Sequence, residues 1–199
     1  MYQAVHSAAM PSVTPRQQLL DAAIDYVAGH GLTDLSLRGL AAELGTSHRM
    51  LSHHFGSKDG LWVAIVQEVE CRQREAVRDL VPDPSASFED AMRAWWRHIS
   101  DPSLWPNERL FFEVYGQALH GRAPAKELLD GVVDSWVDPI AEMVVTMGFA
   151  PEDARSLARL GVAVTRGLLL DLLATSDRAA VDAAMEQWIS LNARALAAA

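Results

Sequence analysis

The sequence predicts an all-α protein, with an N-terminal three-helix helix-turn-helix head, a larger C-terminal helical bundle and about nine helices in total. Three observations carry this. Apolar residues recur at three- and four-residue spacing along the chain, and no strand-like alternation persists. Helix-capping Ser and Thr residues stand just before several of these runs, and Pro and Gly signals separate them. Finally, residues 31–58 have the pattern of two short helices joined by a tight turn and followed by the start of a third. There Ala41 is small enough for two helices to cross closely, and Gly45, four residues on, supplies a positive-φ turn. Leu37, Leu40, Leu44 and Leu51 are the expected buried positions around it.

The elements follow in order. Thr14-Pro15-Arg16-Gln17 is a capping-box-like start, and its helix carries Leu20, Ala23, Ile24 and Val27 before stopping near Gly29 to Gly31. Ser36 caps a second helix that Gly45 ends. Ser47 caps a very short third helix running to about His54, and Ser57 caps a fourth that continues to around Asp79. Two prolines in Val81-Pro-Asp-Pro-Ser85 break the chain. Further helices are expected at about 86–100, 106–120, 125–148, 152–174 and 178–197, with Pro139 kinking the 125–148 helix. The expected organisation is a flexible arm over 1–13, the helix-turn-helix domain over 14–60, and a ligand-binding and dimerising body over 61–199.

Composition narrows the classes. Half of the 199 residues are hydrophobic, so a sizeable core is available and disorder is confined to the ends. The single cysteine, Cys71, cannot close an internal disulfide, which suits a reducing cytosol and a cytoplasmic location. Met1 to Val13 carries no Lys or Arg and no long apolar run, unlike a signal peptide. The most apolar stretch, Leu157 to Ala174, is interrupted by Arg159, Arg166 and Asp171, so a buried helix is expected there and no membrane contact. A net charge of −9 argues against a generic nucleic-acid binder. Between Ser36 and Lys58, however, Arg38, Arg49 and Lys58 face only Glu43, leaving a local charge of +2. Duplex binding is therefore expected to be site-dependent and salt-sensitive.

At these residues the head resembles the TetR family of transcriptional regulators. The resemblance covers about Thr14 to Trp62: a capped first helix, Leu-Ser-Leu-Arg-Gly-Leu-Ala-Ala-Glu-Leu-Gly, and a short helix ending His54-Phe55 before Ser57-Lys58-Asp59 and Leu61. It implies three helices in the head and six in a ligand-binding, dimerising body. It also implies a homodimer that binds an inverted-repeat operator in double-stranded DNA and is released by a small, largely apolar effector. Repression is implied by the family alone. The family pattern usually has a small residue, a threonine and a tyrosine where this chain has Arg49, Met50 and Ser52, so operator preference does not transfer from a relative.

Arg49 is the foremost base-reading candidate, because a guanidinium pairs bidentately with guanine O6 and N7. Thr46, Ser47, His48, Ser52 and His53 offer short polar groups on the start and exposed face of the same helix, whose N-terminus also attracts phosphate. Lys58 and Arg38 fit phosphate anchoring. Leu51, Phe55 and His54 are expected to support the helix from behind. His48, His53 and His54 do not share one helical face, and no metal site and no cofactor are expected.

In the body, Trp95, Trp96, Trp105, Phe111, Phe112, Tyr115 and Trp136 give an apolar concavity plausible walls, with core packing as the default for each. Polar candidates to orient a ligand are His98, Arg97, Glu113, His120 and Thr165. The expected effector set is Trp95, Trp96, His98, Phe111, Phe112, Tyr115, Trp136 and Thr165. Leu157, Leu160, Gly161, Val164 and Leu168 form a stripe on the penultimate helix, and Val181, Met185, Trp188, Leu191 and Ala195 one on the last. Leu157, Gly161, Val164, Leu168, Val181, Met185, Trp188 and Leu191 are thus the expected four-helix dimer face. An enzyme is disfavoured. There is no Gly-x-Ser-x-Gly, phosphate-cradling glycine loop or His-Glu-x-x-His, and Asp130, Asp134, Asp138 and Glu142 read as solvated charge. The other competing reading is a helical protein-binding or small-molecule-binding module without sequence-specific DNA binding.

Overall fold

The computed structural model describes residues 14–30, 36–79, 87–146 and 148–197; the arm 1–13, the turn at Gly31 and the Val81–Ser85 break lie outside them. Among the described residues there are nine α-helices and no strand. They are α1 (Pro15–His30), α2 (Leu37–Glu43), α3 (His48–Phe55), α4 (Lys58–Asp79), α5 (Phe88–Ile99), α6 (Trp105–Leu119), α7 (Asp134–Thr146), α8 (Pro151–Thr175) and α9 (Arg178–Ala197). The caps read from sequence are in place. Thr14 Oγ1 accepts from the Gln17 amide at 3.2 Å, Ser36 Oγ from Gly39 at 3.2 Å, Ser47 Oγ from Met50 at 3.1 Å, and Ser57 Oγ from Gly60 at 3.0 Å. Each satisfies an amide that the first turn leaves without an intrahelical acceptor. Gly45 takes φ +64° and turns the chain from α2 to α3.

One expected element differs. The single helix over 125–148 is instead a 3-10 turn, Ala125–Leu129, followed by an irregular stretch and then α7. Asp130 leaves the helical region and Gly131 takes φ +75°, which interrupts the backbone ladder. The apolar spacing survives the interruption, because Leu128, Val132, Trp136 and Val137 are all buried. Pro139 sits inside the shorter α7.

Two large apolar clusters and a smaller one, Trp136 and Val137 of α7 with Ala158 and Val162 of α8, hold the fold. Leu20, Ile24 and Val27 of α1, Leu40 and Ala41 of α2, and Leu51 and Phe55 of α3 pack around Leu61 and Ile65 of α4. Leu110 and Val114 of α6 belong to the same cluster, so α4 is packed continuously from the head into the body. The second cluster joins Phe88, Trp96 and Ile99 of α5 to Leu169 and Leu172 of α8 and to Val181, Met185 and Ile189 of α9. Full burial of such side chains is worth about 1.5–3 kcal/mol each. The second cluster corrects part of the expected dimer face: Val181 and Met185 are 1% and 2% exposed and enclosed by their own chain. The spacing revealed an apolar stripe on α9, but not whether α5 or a second subunit covers it.

Along α8, Ala154, Ala158, Val162, Thr165, Leu169 and Leu172 face inward at three- and four-residue spacing. Leu157 and Leu168 lie partly buried beside them, packed against the second cluster, and Val164 is half-buried. Leu160, Ala163, Gly167 and Leu170 follow the same spacing on an exposed face. Leu191 of α9 is also exposed.

Candidate DNA-reading face and effector cavity

The candidate reading face is α3, the second helix of the helix-turn-helix. Leu51 and Phe55 bury its inner side, while His48, Arg49, Met50 and His53 are exposed along the other. Phe55 is further covered by the Arg16 guanidinium, 5.1 Å from its ring centroid. The expected reading residues divide by how committed their polar groups already are. Ser47 is used as the helix cap, and Ser52 Oγ lies 3.4 Å from His48 Nε2. Thr46 is half-buried in the turn, and Arg38 is exposed at the start of α2. Lys58 holds its ammonium 5.6 Å from the Trp62 ring centroid, at the first residue of α4. His54 is half-buried and its Nε2 has no hydrogen-bond partner among the described residues, consistent with the supporting position expected for it.

α3 and α4 meet at Gly60. A Cβ there would run into the carbonyl oxygen of Phe55, the last residue of α3, well inside van der Waals contact. Gly56 makes the corner between the helices at φ +74°. The angle at which α3 leaves the head is thus set by backbone touching backbone.

The body holds a cavity that opens to solvent and draws its lining from α4, α5, α6, α7, α8 and α9. Of the residues expected to hold an effector, Trp95, Phe111, Phe112, Trp136 and Thr165 line it. The other expected residues do not. Trp96 is buried and donates its indole N–H to Asp182 at 2.7 Å, tying α5 to α9. His98 packs beside Trp95 at 6.1 Å, and Tyr115 stacks on the far side of the lining at 5.4 Å from Phe111. Conversely, Leu157, Gly161 and Trp188, expected at the dimer face, line the cavity. Gly161 admits the Trp188 ring, whose carbons would stand 3.6 Å from a Cβ placed there.

The polar end of the cavity was not anticipated. Glu70 and Gln73 from α4, Glu108 from α6 and Arg166 from α8 converge on it. Trp136 donates its indole N–H to Glu70 at 2.5 Å, and Gln73 donates to Glu108 Oε1 at 2.5 Å. Arg166 pairs with Glu70 at 3.8 Å and donates to the Val132 carbonyl, while its guanidinium lies over the Phe111 and Tyr115 rings. Arg74 reaches Glu70 from the other side at 3.6 Å. Burial raises the Glu70 carboxyl, opposed by the Trp136 hydrogen bond and the two arginines. The signal was present in the spacing: Glu70 and Gln73 continue the apolar stripe of α4 from Val66, and Glu108 precedes Phe111 on the inner side of α6. Polar residues on an apolar stripe are informative.

Burial pushes the Glu108 carboxyl up to about 7, with the Gln73 hydrogen bond opposing, Glu70 adding and Arg166 opposing. Its folded-state value therefore lies above the unfolded one. The associated stability is complete below about pH 4.5 and is lost as pH rises through about 7. Glu108→Gln, which keeps the shape without the charge, is expected to raise stability near pH 8 by about 2–3 kcal/mol while changing it little near pH 5. Urea unfolding at the two pH values checks this; an equal difference at both would mean that Glu108 titrates as an ordinary carboxylate.

This geometry has counterparts in known proteins. Residues 19–65 match the family model of bacterial regulatory proteins of the tetR family. The chain is 35% identical over 75 residues to the HTH-type transcriptional regulator BetI of Klebsiella pneumoniae, covering 36% of this chain and 38% of that one. It is 34% identical over 89 residues to the HTH-type transcriptional repressor AcnR of Corynebacterium efficiens, covering 44% and 47%. These matches span less than half the length of those relatives. Among solved structures, a Rhodococcus transcriptional regulator superposes with TM-score 0.71 at 18% identity, over 89% of this chain and 95% of that one. A structure from Saccharomonospora viridis in complex with choline superposes with TM-score 0.67 at 22% identity, over 88% and 93%. At these identities the solved structures establish the shared fold. No helix among the described residues is long and apolar enough to cross a membrane.

Proposed function

Because this chain belongs to the TetR family of DNA-binding transcriptional regulators, we propose that it is a homodimeric repressor whose two α3 helices read an inverted repeat and which a small, largely apolar effector releases. The observation that carries this reading is the course of α4. One uninterrupted helix starts at Lys58, against the recognition helix, and brings Glu70 and Gln73 to the cavity. From Lys58 to Gln73 it spans roughly 22 Å at its ordinary rise. A ligand that displaces the Glu70–Trp136 or Gln73–Glu108 hydrogen bond acts on the helix that carries the head. Such a ligand alters DNA affinity only to the extent that it favours one arrangement of the heads over the other.

The second subunit docks on the exposed face of α8, at Leu160, Ala163, Gly167 and Leu170, with Leu191 of α9 beside it. Small residues at Ala163 and Gly167 allow helices to approach closely, and a two-fold axis there pairs α8 and α9 with their copies as a four-helix interface. The two reading helices then meet successive major grooves, with half-site spacing fixed by the separation of the heads. Arg38 and Lys58 anchor phosphate and Arg49 reads a base, with Thr46, Ser47, His48, Ser52 and His53 beside it on the groove side. Of these, Ser47 acts through its backbone, because its hydroxyl is the helix cap.

Selection of duplexes from a random library, followed by titration at two salt concentrations, tests the reading. A palindromic site bound more tightly than scrambled duplex supports it; a folded dimer that enriches nothing at low salt refutes it. On the selected site, Arg49→Ala is expected to cost about 1–3 kcal/mol, roughly 5- to 150-fold in affinity, and to relax preference at one base pair. A uniform loss on specific and scrambled duplex would reassign Arg49 to phosphate.

A further inference from the structure

The cavity is lopsided in chemistry. Its walls from α5 and α7 and the loop before α8 are apolar, with Phe88, Trp95, Trp136 and Phe149 among them, and α9 adds no charged residue. All three charged lining residues converge at one end: Glu70, Glu108 and Arg166. Arg166 is already engaged by Glu70, the Val132 carbonyl and two aromatic rings. Glu70 is matched by Arg166, Arg74 and the Trp136 indole. Glu108, 5% exposed, has a single hydrogen-bond partner among the described residues, the neutral Gln73 amide on Oε1. A buried carboxylate without a countercharge is costly unless it is protonated or a cation arrives. An anionic ligand would meet two carboxylates there and no uncommitted cation.

We propose that the effector is an organic monocation, with an ammonium head held against Glu108 and an apolar body lying along the aromatic wall. The proposal rests on the effector-cavity reading above and names the chemical class of that ligand. Aromatic faces beside the head add cation–π attraction. Binding is coupled to a proton. Where Glu108 is protonated in the empty cavity, the arriving ammonium takes the place of that proton, which leaves to solvent, and the carboxylate is then paired. The charged groups acting on Glu108 are Glu70 from α4 and Arg166 from α8. Since burial holds the carboxyl near 7, affinity for a cation falls as pH drops below that value.

A matched series tests this with the purified protein in the absence of DNA: 4-phenylbutylammonium, the uncharged 4-phenylbutanol and the anionic 4-phenylbutyrate, followed by quenching of the lining tryptophans. Near pH 8 the ammonium is expected to bind at least tenfold more tightly than the alcohol, and the carboxylate most weakly. Affinity for the ammonium falls about tenfold per unit below pH 7, while that for the alcohol does not. Glu108→Gln removes both the preference and the pH dependence and keeps the helical circular dichroism of the parent protein. Equal binding of all three, preference for the carboxylate, or no binding of the ammonium at millimolar concentration overturns the proposal. So does an ammonium preference that survives in Glu108→Gln. None of these readouts depends on duplex selection, so failure of the DNA-reading proposal and failure of this one are separable.

Discussion

Replacing Leu160 and Leu170 together by glutamate is expected to convert the proposed dimer into folded monomers and to abolish tight binding to a two-half-site operator. Both side chains are about half exposed, at 51% and 50%, although the inner face of the same helix is closed by Leu169 and Leu172 at 2% and 0%. The substitutions therefore leave the subunit's own core untouched. Across a two-fold interface, each substitution appears twice, and four carboxylates would be drawn out of water against apolar surface. Even when relieved by local hydration, burying an unpaired charge costs several kcal/mol. A rise in the dimer dissociation constant of roughly a thousandfold or more follows, since about 1.4 kcal/mol is tenfold. Sedimentation velocity with far-ultraviolet circular dichroism reads the outcome. Helical monomers that no longer shift the duplex agree with the α8 face; an intact dimer moves the interface elsewhere.

Gly60→Ala is expected to have the largest effect of any single substitution in the head. The added methyl meets the Phe55 carbonyl oxygen, and neither side of that contact is the end of a flexible side chain. Relief requires α3 and α4 to move apart, although Leu51, Phe55, Leu61 and Ile65 pack together between them. Strain of this kind in a packed interior costs about 1–3 kcal/mol and is concentrated here in a small unit. Even a partial relief tilts the reading helix, so duplex affinity is expected to drop at least a hundredfold, while the ligand cavity and the α8 face are unaffected. Thermal melting and duplex titration check this. A melting temperature and an affinity both equal to those of the parent would mean that the two helices do not approach closely at Gly60.

What could be read in the sequence was whatever depends on neighbours along the chain. Thr14, Ser36, Ser47 and Ser57 cap because a hydroxyl reaches an amide three residues on, and Gly45 turns because only a residue without Cβ takes that conformation readily. The head, the helix count and the helix boundaries nearly all follow from such rules. The exception, the 125–148 stretch, kept helical spacing while Gly131 broke the ladder, because a packed irregular segment can bury the same side chains as a helix.

Which partner covers an apolar stripe is decided only when the helices are assembled. Val181 and Met185 look like any interface stripe until α5 is laid across them, and Trp188 looks like an interface anchor until Gly161 admits its ring. Trp96 and Trp95 are adjacent in sequence, yet a turn of roughly 100° per residue sends one toward Asp182 and the other into the cavity. The polar end of the cavity is the sharpest case. Glu70, Gln73, Glu108 and Arg166 come from three helices up to 96 positions apart in sequence. Sequence by itself determined a helix-turn-helix head on a helical body. Only the tertiary structure decided which carboxylate stands in the cavity without an ion-pair partner among the described residues, because long-range packing, not local propensity, sets the distance between groups on different helices.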